Sequence, residues 1–394
     1  MQKLIALIVL FCFPSAVFCA SAKQQPAKQS LEQMRGVWIA TVENIDWPSA
    51  AGLNSESQQK ELVDIFDKLK KLGFNAVFLQ ARPSADTFWP SEFEPCSHYL
   101  TGKQGVCADY DPLAFAIEQA HKRGLQFHAW VNPFRVANNS KIQLAKNHPA
   151  QKNKNWLIKY DGKSFYDPGN PDARAHSIKV ITEIAKKYKV DGIHLDDYFY
   201  PYPDAKKTPF NDKKSYKKHA KKGQSLDDWR RENINTFMRD LKTSLKAANP
   251  KISFGVSPFG IWCNAKDCEG GSDTKGFNSN LVLYSDSRSW LNEGLLDYIA
   301  PQIYWHTRHK TAPFGKLVDW WALQVKSAPN NPKLYIGVAA YKHTEGEWKN
   351  ADELSSQIKY ARKNKNVGGF IYFSSSKILN GKRNIAKTVL ALNK

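Results

Sequence analysis

Residues 190 to 203 read Val-Asp-Gly-Ile-His-Leu-Asp-Asp-Tyr-Phe-Tyr-Pro-Tyr-Pro, and this stretch decides the fold. Its first half is short and apolar, which is typical of a parallel strand covered by protein on both faces. Its second half becomes acidic and aromatic, although a carboxylate pair is costly to bury. Because α/β barrels carry their chemistry at the carboxyl ends of their strands, the stretch predicts a barrel strand that delivers Asp196 and Asp197 to an active site.

Side chains alternate along a strand, and this alternation assigns two faces to the stretch. His194, Asp196 and Tyr198 share one face, which we expect to point into the barrel mouth. Consecutive residues point to opposite sides, so both aspartates can face the mouth only if the strand ends or bulges there. An alternative role for either aspartate is to cap the segment that follows.

The same alternation of strand and helix occurs eight times along the chain. The predicted strands cover 36–42, 75–81, 125–131, 192–197, 252–257, 298–304, 333–339 and 369–373, and the predicted helices cover 57–72, 112–122, 171–188, 226–247, 281–292, 315–327, 351–363 and 376–392. Strands that alternate with helices imply a parallel sheet, and eight units of this length imply an α/β chain folded as a single (β/α)8 TIM barrel with long loops. A doubly wound open sheet is the alternative, but residues 42–44 carry no glycine fingerprint.

Hydrogen-bonding and aromatic side chains follow the same alternation at the other strand ends. The candidate substrate-binding residues are Trp38, Gln80, Arg82, His128, Trp130, Asn132, His194, Tyr198, Ser257, Trp262, Gln302 and Tyr304. Amides and rings of this kind suit a sugar, because the C–H faces of sugars stack on aromatic rings.

Carboxylates among such groups favour glycoside cleavage, which needs one acid and one nucleophile or base. We predict Asp196 as nucleophile or base, with Asp197 and Glu43 as the other candidate catalytic residues. Further loop carboxylates that can supply the partner are Asp46, Asp86, Asp267 and Glu269. The acid needs a raised pKa, which burial or a like charge provides. The sequence leaves the identity of this acid open.

Two other functions remain open at this point. A non-catalytic glycan-binding barrel is one, because no predicted strand other than 192–197 ends in an acid. A metal-dependent hydrolase or deacetylase is the other, with His128, His194 and Asp196 as ligands. No glycine-rich phosphate cradle is present, and we expect neither a cofactor nor a bound metal.

Charge and targeting features point to an exported protein. The formal net charge of +20 attracts anionic partners, so we expect an anionic cell-wall glycan rather than nucleic acid. Residues 1–22 resemble a cleaved secretory signal, and we expect 23–33 to form a flexible lead and 34–394 to form the barrel. We also expect no other membrane-spanning stretch and a monomeric protein. Phe18 does not suit a lipidation site at Cys19, which favours a periplasmic or secreted protein over an outer-membrane lipoprotein.

Four cysteines follow the signal segment as two sequence-local pairs. Export favours their oxidation, and we predict disulfides that join Cys96 to Cys107 and Cys263 to Cys268. A zinc site built from all four is the alternative, but no Cys-x-x-Cys pair is present.

Several motifs together resemble one bacterial family, the glycosyl-hydrolase-like family ten. The matching stretches are residues 34–38, 46–48, 74–77, 80–83, 129–133, 191–198, 228–233, 255–260 and 301–305. The resemblance implies a glycosidase barrel, and the family includes hydrolases of peptide-stripped (denuded) peptidoglycan strands. The 191–198 motif is also similar to α-amylase-type barrels, with His194 in the place of an arginine and Asp196 in that of the nucleophile. The fifth-strand glutamate of that type is missing here.

Overall fold

The computed structural model describes residues 33–343, 346–348, 352–382 and 384–394. The predicted signal segment, Cys19 and nearly all of the predicted lead lie outside these residues. Eight parallel strands close into a barrel in chain order, which confirms the (β/α)8 prediction. The strands are β1 (Met34–Ile39), β2 (Ala76–Arg82), β3 (Gln126–Val131), β4 (Gly192–Leu195), β5 (Ser253–Val256), β6 (Tyr298–Ile299), β7 (Lys333–Val338) and β8 (Val367–Tyr372).

A helix follows each strand on the outside of the barrel. These helices are α1 (Ser55–Lys71), α2 (Pro112–Lys122), α3 (Pro171–Lys187), α4 (Leu226–Ala248), α5 (Ser287–Asn292), α6 (Phe314–Ser327), α7 (Glu353–Arg362) and α8 (Ile385–Leu392). Short helices occupy the loops at His98–Thr101, Pro149–Lys152, Lys213–His219, Ser279–Val282 and Ser375–Leu379. α2 and α3 begin at the predicted residues, Pro112 and Pro171, and the preceding Asp111 or Asn170 accepts a backbone N–H of the first turn.

Some predicted elements are shorter than expected. The predicted helices 281–292 and 376–392 are each split in two, and Tyr284 and Asn384 have positive φ angles of 55° and 60° at the breaks. A left-handed residue cannot continue a right-handed helix. β4 and β6 are also shorter than predicted. A three-stranded antiparallel sheet (Arg135–Ala137, Leu157–Tyr160 and Lys163–Tyr166), which we did not predict, lies between β3 and α3.

Two apolar layers hold the barrel together. The larger core packs the outward faces of the strands against the helices, and a smaller cluster that includes Phe78 and Ile371 comes from the opposite strand faces. Two glycines make room for the rings inside. A Cβ atom at Gly192 would lie 2.3 Å from the ring of His128, and one at Gly255 would lie 2.3 Å from the ring of Tyr298. This filled interior supports the chemical groups at the mouth.

Two disulfides, Cys96–Cys107 and Cys263–Cys268, close the loops that follow β2 and β5. Both loops lie at the carboxyl ends of the strands. Across the described residues, no helix is long and apolar enough to cross a membrane.

Candidate active site

The two aspartates of the opening stretch lie in one pocket at the mouth of the barrel. β4 ends at Leu195, two residues earlier than predicted, so Asp196 and Asp197 belong to the loop. The strict alternation of the strand no longer applies there, and Asp196, Asp197 and Tyr198 all line a pocket of about 260 Å³. The early end of the strand therefore allows two consecutive carboxyl groups to reach the same cavity.

Asp196 is directed towards β3 and is held by several donors. Trp130 Nε1 donates to Asp196 Oδ2 at 3.0 Å, Asn132 Nδ2 lies 3.2 Å from both carboxylate oxygens, and the Tyr198 N–H donates to Oδ1 at 3.2 Å. Burial raises the pKa of Asp196, and the positive charge of Arg135 and these donors oppose the rise. The side chains of Trp130 and Asn132 therefore hold the Asp196 carboxylate in one orientation.

Asp197 is directed the other way, towards β5 and β6. Gln302 Nε2 donates to Asp197 Oδ1 at 3.0 Å and also to the Ser257 carbonyl at 2.9 Å, and the Tyr202 hydroxyl donates to Oδ2. Burial, and then the negative charge of Asp196, raise the pKa of Asp197 to about 6. A carboxyl group with this pKa is partly protonated near neutral pH and is therefore suited to donate a proton.

Rings and amides form the other walls of the pocket. Trp38, Trp130, Tyr304, Tyr341 and Phe373 line it together with Gln80. The side-chain oxygen of Gln80, Oε1, accepts the N–H groups of residues 41 and 42 at 3.1 and 2.9 Å. Its buried amide nitrogen has no hydrogen-bond partner among the described residues. An amide that is fixed through its oxygen is a ready donor for a substrate oxygen.

The structure brings most of the predicted substrate-binding residues to this pocket. Seven of them line it: Trp38, Gln80, Trp130, Tyr198, Ser257, Gln302 and Tyr304. Asn132 and His194 lie behind them, where Asn132 bonds Asp196, and His194 Nε2 accepts the Trp38 indole N–H at 3.1 Å. These two residues therefore position groups of the lining rather than forming it.

Three predicted substrate-binding residues lie elsewhere. Arg82 is fully buried and donates to both oxygens of Glu94, a carboxylate of the loop after β2, at 2.7 Å. His128 lies deeper in the barrel, where its Nδ1 is 3.1 Å from the Tyr298 hydroxyl. Trp262 donates to Asp286 at 2.9 Å and stacks on Trp320.

The two interior histidines do not join Asp196 in a ligand set. His194 Nδ1 and His128 Nδ1 both contact the Tyr298 hydroxyl, at 3.0 and 3.1 Å. Burial lowers the pKa of His128 to about 4 and that of His194 well below its usual value, so both rings are neutral. In the described part of the chain, no group of three or more His, Cys, Asp or Glu residues is arranged to hold a metal ion.

The other candidate carboxylates are placed outside the pocket lining. Glu43 is exposed at the rim and accepts the side-chain amide of Asn138. Asp46 accepts the N–H of Ala40 at 2.8 Å and the Ser374 hydroxyl at 2.8 Å, so it ties β1 to the loop after β8. Among the described lining residues, Asp196 and Asp197 are the acidic groups. The pair itself is thus the better candidate for both catalytic roles.

Sequence reasoning missed six lining residues: Ala40, Val42, Ile45, Arg135, Tyr341 and Phe373. Phe373 directly follows β8, so the strand-end rule predicts it once the end of that strand is known. Arg135 belongs to the antiparallel sheet that was not predicted, and its guanidinium lies 5.3 Å from the centre of the Tyr198 ring. No local pattern marks Ile45 or Tyr341.

Comparisons with known proteins agree with this architecture. The family model described as Glycosyl hydrolase-like 10 matches residues 33–354. The chain is 44% identical over 378 residues to the glycosyl hydrolase YngK of Bacillus subtilis (strain 168), covering 94% of this chain and 72% of YngK. It is 37% identical over 364 residues to the glycosyl hydrolase DigH of Escherichia coli (strain K12), covering 86% of this chain and 82% of DigH.

Among solved structures, the fold is similar to the glycoside hydrolase domain of PgaB (BpsB) from Bordetella bronchiseptica. The TM-score is 0.61 at 13% sequence identity, and the alignment covers 92% of this chain and 99% of that domain. At this identity the likeness concerns the barrel fold alone.

Proposed function

The chain belongs to the glycosyl hydrolase-like 10 family and is a glycoside hydrolase, and we propose that it cleaves denuded peptidoglycan glycan strands with Asp197 as general acid and Asp196 as nucleophile or base. One observation carries the proposal. Two consecutive carboxyl groups in one pocket are held by different donors, and the pKa of Asp197 is raised to about 6 by burial and by the charge of Asp196.

The proposed chemistry assigns a different role to each carboxyl group. Protonated Asp197 donates its proton to the glycosidic oxygen as the bond to the anomeric carbon breaks. Ionised Asp196 either attacks the anomeric carbon or removes a proton from the attacking water. The donors of Trp130 and Asn132 fix the orientation of Asp196, which reduces the reorganisation that the reaction requires. The Gln80 amide supplies a further hydrogen bond to the sugar.

The charge of the chain supports an anionic glycan as substrate. Denuded peptidoglycan carries a lactyl carboxylate on every second sugar, and the chain has a formal net charge of +20. Eight exposed lysines lie in the segment that leaves the pocket after Asp197: Lys206, Lys207, Lys213, Lys214, Lys217, Lys218, Lys221 and Lys222. Such a field raises the encounter rate with a polyanion.

An exported location, periplasmic or secreted, is part of the same proposal. The two disulfides support it, because such bonds persist in oxidising compartments. The division into 1–22, 23–33 and 34–394 stays a prediction, since residues 1–32 are not among those described.

The test is digestion of peptidoglycan strands from which the stem peptides have been removed. We expect the wild-type protein to release soluble sugar fragments, measured by liquid chromatography and mass spectrometry, and the Asp197→Asn variant to release none. Asp161→Asn is the matched control, because Asp161 is exposed in a hairpin turn and lies outside the pocket. Binding without release by the wild type would favour a glycan-binding barrel, and inactivation by a chelator would favour the metal-dependent alternative.

A further inference from the structure

A second cleft lies beyond the catalytic pocket, on the other side of Tyr202. We call it the aromatic cleft, and it is lined by parts of residues 200–210 and 277–284 together with Tyr160 and Arg230. Its volume is about 780 Å³, compared with about 260 Å³ for the catalytic pocket. This is within the usual range of roughly 300–1,000 Å³ for ligand sites. Neither Asp196 nor Asp197 lines this cleft.

Tyr202 connects the cleft to the catalytic centre. Its hydroxyl donates to the Asp197 carboxylate, while its ring lines the aromatic cleft. The ring stacks on Phe277 with 5.4 Å between centroids and an angle of 11° between planes. A chain that leaves the catalytic pocket past Tyr202 would therefore enter the aromatic cleft.

The chemistry of the lining suits a sugar. The partly exposed rings of Tyr202, Phe277 and Tyr284 offer apolar faces to the cleft. Leu281 is 38% exposed beside them. Rings and an aliphatic side chain that stay open to solvent gain by packing against the C–H faces of a sugar.

The cleft also carries a positive charge at its edge. Arg230 is engaged by Asp212, with two hydrogen bonds of 2.7 and 2.6 Å, and this pair anchors the lysine-bearing segment next to the cleft. Lys207 is exposed and lines the cleft. It is thus the lining cation that we expect to meet an anionic group of a ligand.

We propose that the aromatic cleft is a second sugar-binding site, which holds the glycan strand beside the bond that is cleaved and recognises a lactyl carboxylate through Lys207. This inference rests on the proposed function. It predicts that long strands bind through both the catalytic pocket and the cleft, whereas short fragments use the pocket alone. It also predicts that carboxylated strands bind more tightly than chitin oligosaccharides, which have the same backbone without the lactyl group.

The experiment compares Lys207→Glu and Phe277→Ala with the control Lys359→Glu, an exposed lysine on α7. With long denuded strands, each cleft variant should raise KM about tenfold, equivalent to about 1.4 kcal/mol. The kcat for the shortest substrate that is cleaved should stay unchanged. The control should match the wild type with both substrates.

Binding is measured separately in the Asp196→Asn background by titration calorimetry, with denuded oligosaccharides and chitin oligosaccharides of equal length. Lys207→Glu should bind denuded and chitin oligosaccharides equally well. Because Lys207 is exposed, this variant still tests the proposal if Phe277→Ala does not fold. If the wild type cleaves denuded strands and Lys207→Glu has the same KM, the cleft is not a second sugar-binding site, while the proposed hydrolysis stands. Cleft-dependent binding without any cleavage by the wild type would instead overturn the proposed hydrolysis.

Discussion

Trp130 Nε1 lies 3.0 Å from Asp196 Oδ2, and this hydrogen bond joins the ends of two neighbouring barrel strands at the catalytic pocket. Trp130 and His194 are directly paired across β3 and β4, so the strand register sets the position of the indole. The bond fixes one carboxylate of the pair, while Asp197 points towards Gln302 on the other side of β4.

Replacement of Asp196 by asparagine preserves its shape and removes its charge. We expect Asp196→Asn to fold like the wild type, to keep its affinity for glycan strands, and to lose turnover by about a thousandfold or more. Initial rates of fragment release and binding by calorimetry check both parts. Digestion at the wild-type rate by the purified variant would show that Asp196 is not catalytic.

The pH dependence of kcat/KM should report the two carboxyl groups. Asp197 must be protonated to act as acid, so activity should fall as pH rises through its pKa of about 6. Asp196 must be ionised, so activity should also fall at lower pH. Gln302→Glu adds a negative charge beside Asp197 and should raise that pKa, moving the alkaline limb to higher pH even if the maximum rate drops. If the alkaline limb of the kcat/KM profile stays in place in Gln302→Glu, a group other than Asp197 is the general acid.

Arg82 should matter for stability rather than for substrate affinity. Arg82→Ala removes the guanidinium that pairs with the buried Glu94 and leaves His176 and Tyr166 in contact with its carboxylate, so we expect a loss of about 3–5 kcal/mol of unfolding free energy. Urea denaturation measures this loss, and KM of the folded fraction should match the wild type. A variant of normal stability with a raised KM would restore Arg82 as a substrate-binding residue.

The lysines of the helix Lys213–His219 should act through long-range attraction. Reversal of Lys213, Lys214, Lys217 and Lys218 to glutamate should raise KM for polymeric glycan at low salt with little change in Tm. The difference should shrink at physiological salt, where exposed charges more than about 8 Å apart are screened. Equal low-salt kinetics for the two proteins would leave these lysines without a role in binding.

The disulfides make a prediction about loop stability. Mass spectrometry of the unreduced protein should find the links 96–107 and 263–268. Replacement of both Cys96 and Cys107 by serine should lower the unfolding free energy by about 2–3 kcal/mol, because the closed loop is short. Free thiols, or zinc bound in equal amount to protein, would contradict the assignment.

The sequence by itself determined the barrel and the location of its chemistry. Alternating strand and helix patterns, proline after a capping residue, and an acidic end on an apolar strand are local features, because they depend on neighbours along the chain. They were enough to predict the eight units and to select Asp196 and Asp197.

Only the tertiary structure decided which polar strand ends form the pocket and how the two carboxyl groups differ. Arg82 and Trp130 look equivalent by position, yet Glu94 binds the first and Asp196 accepts from the second. Likewise the raised pKa of Asp197 arises from burial by the folded barrel as well as from its neighbour Asp196. Partner choice and desolvation depend on groups that folding brings together from distant parts of the chain, and no local pattern encodes them.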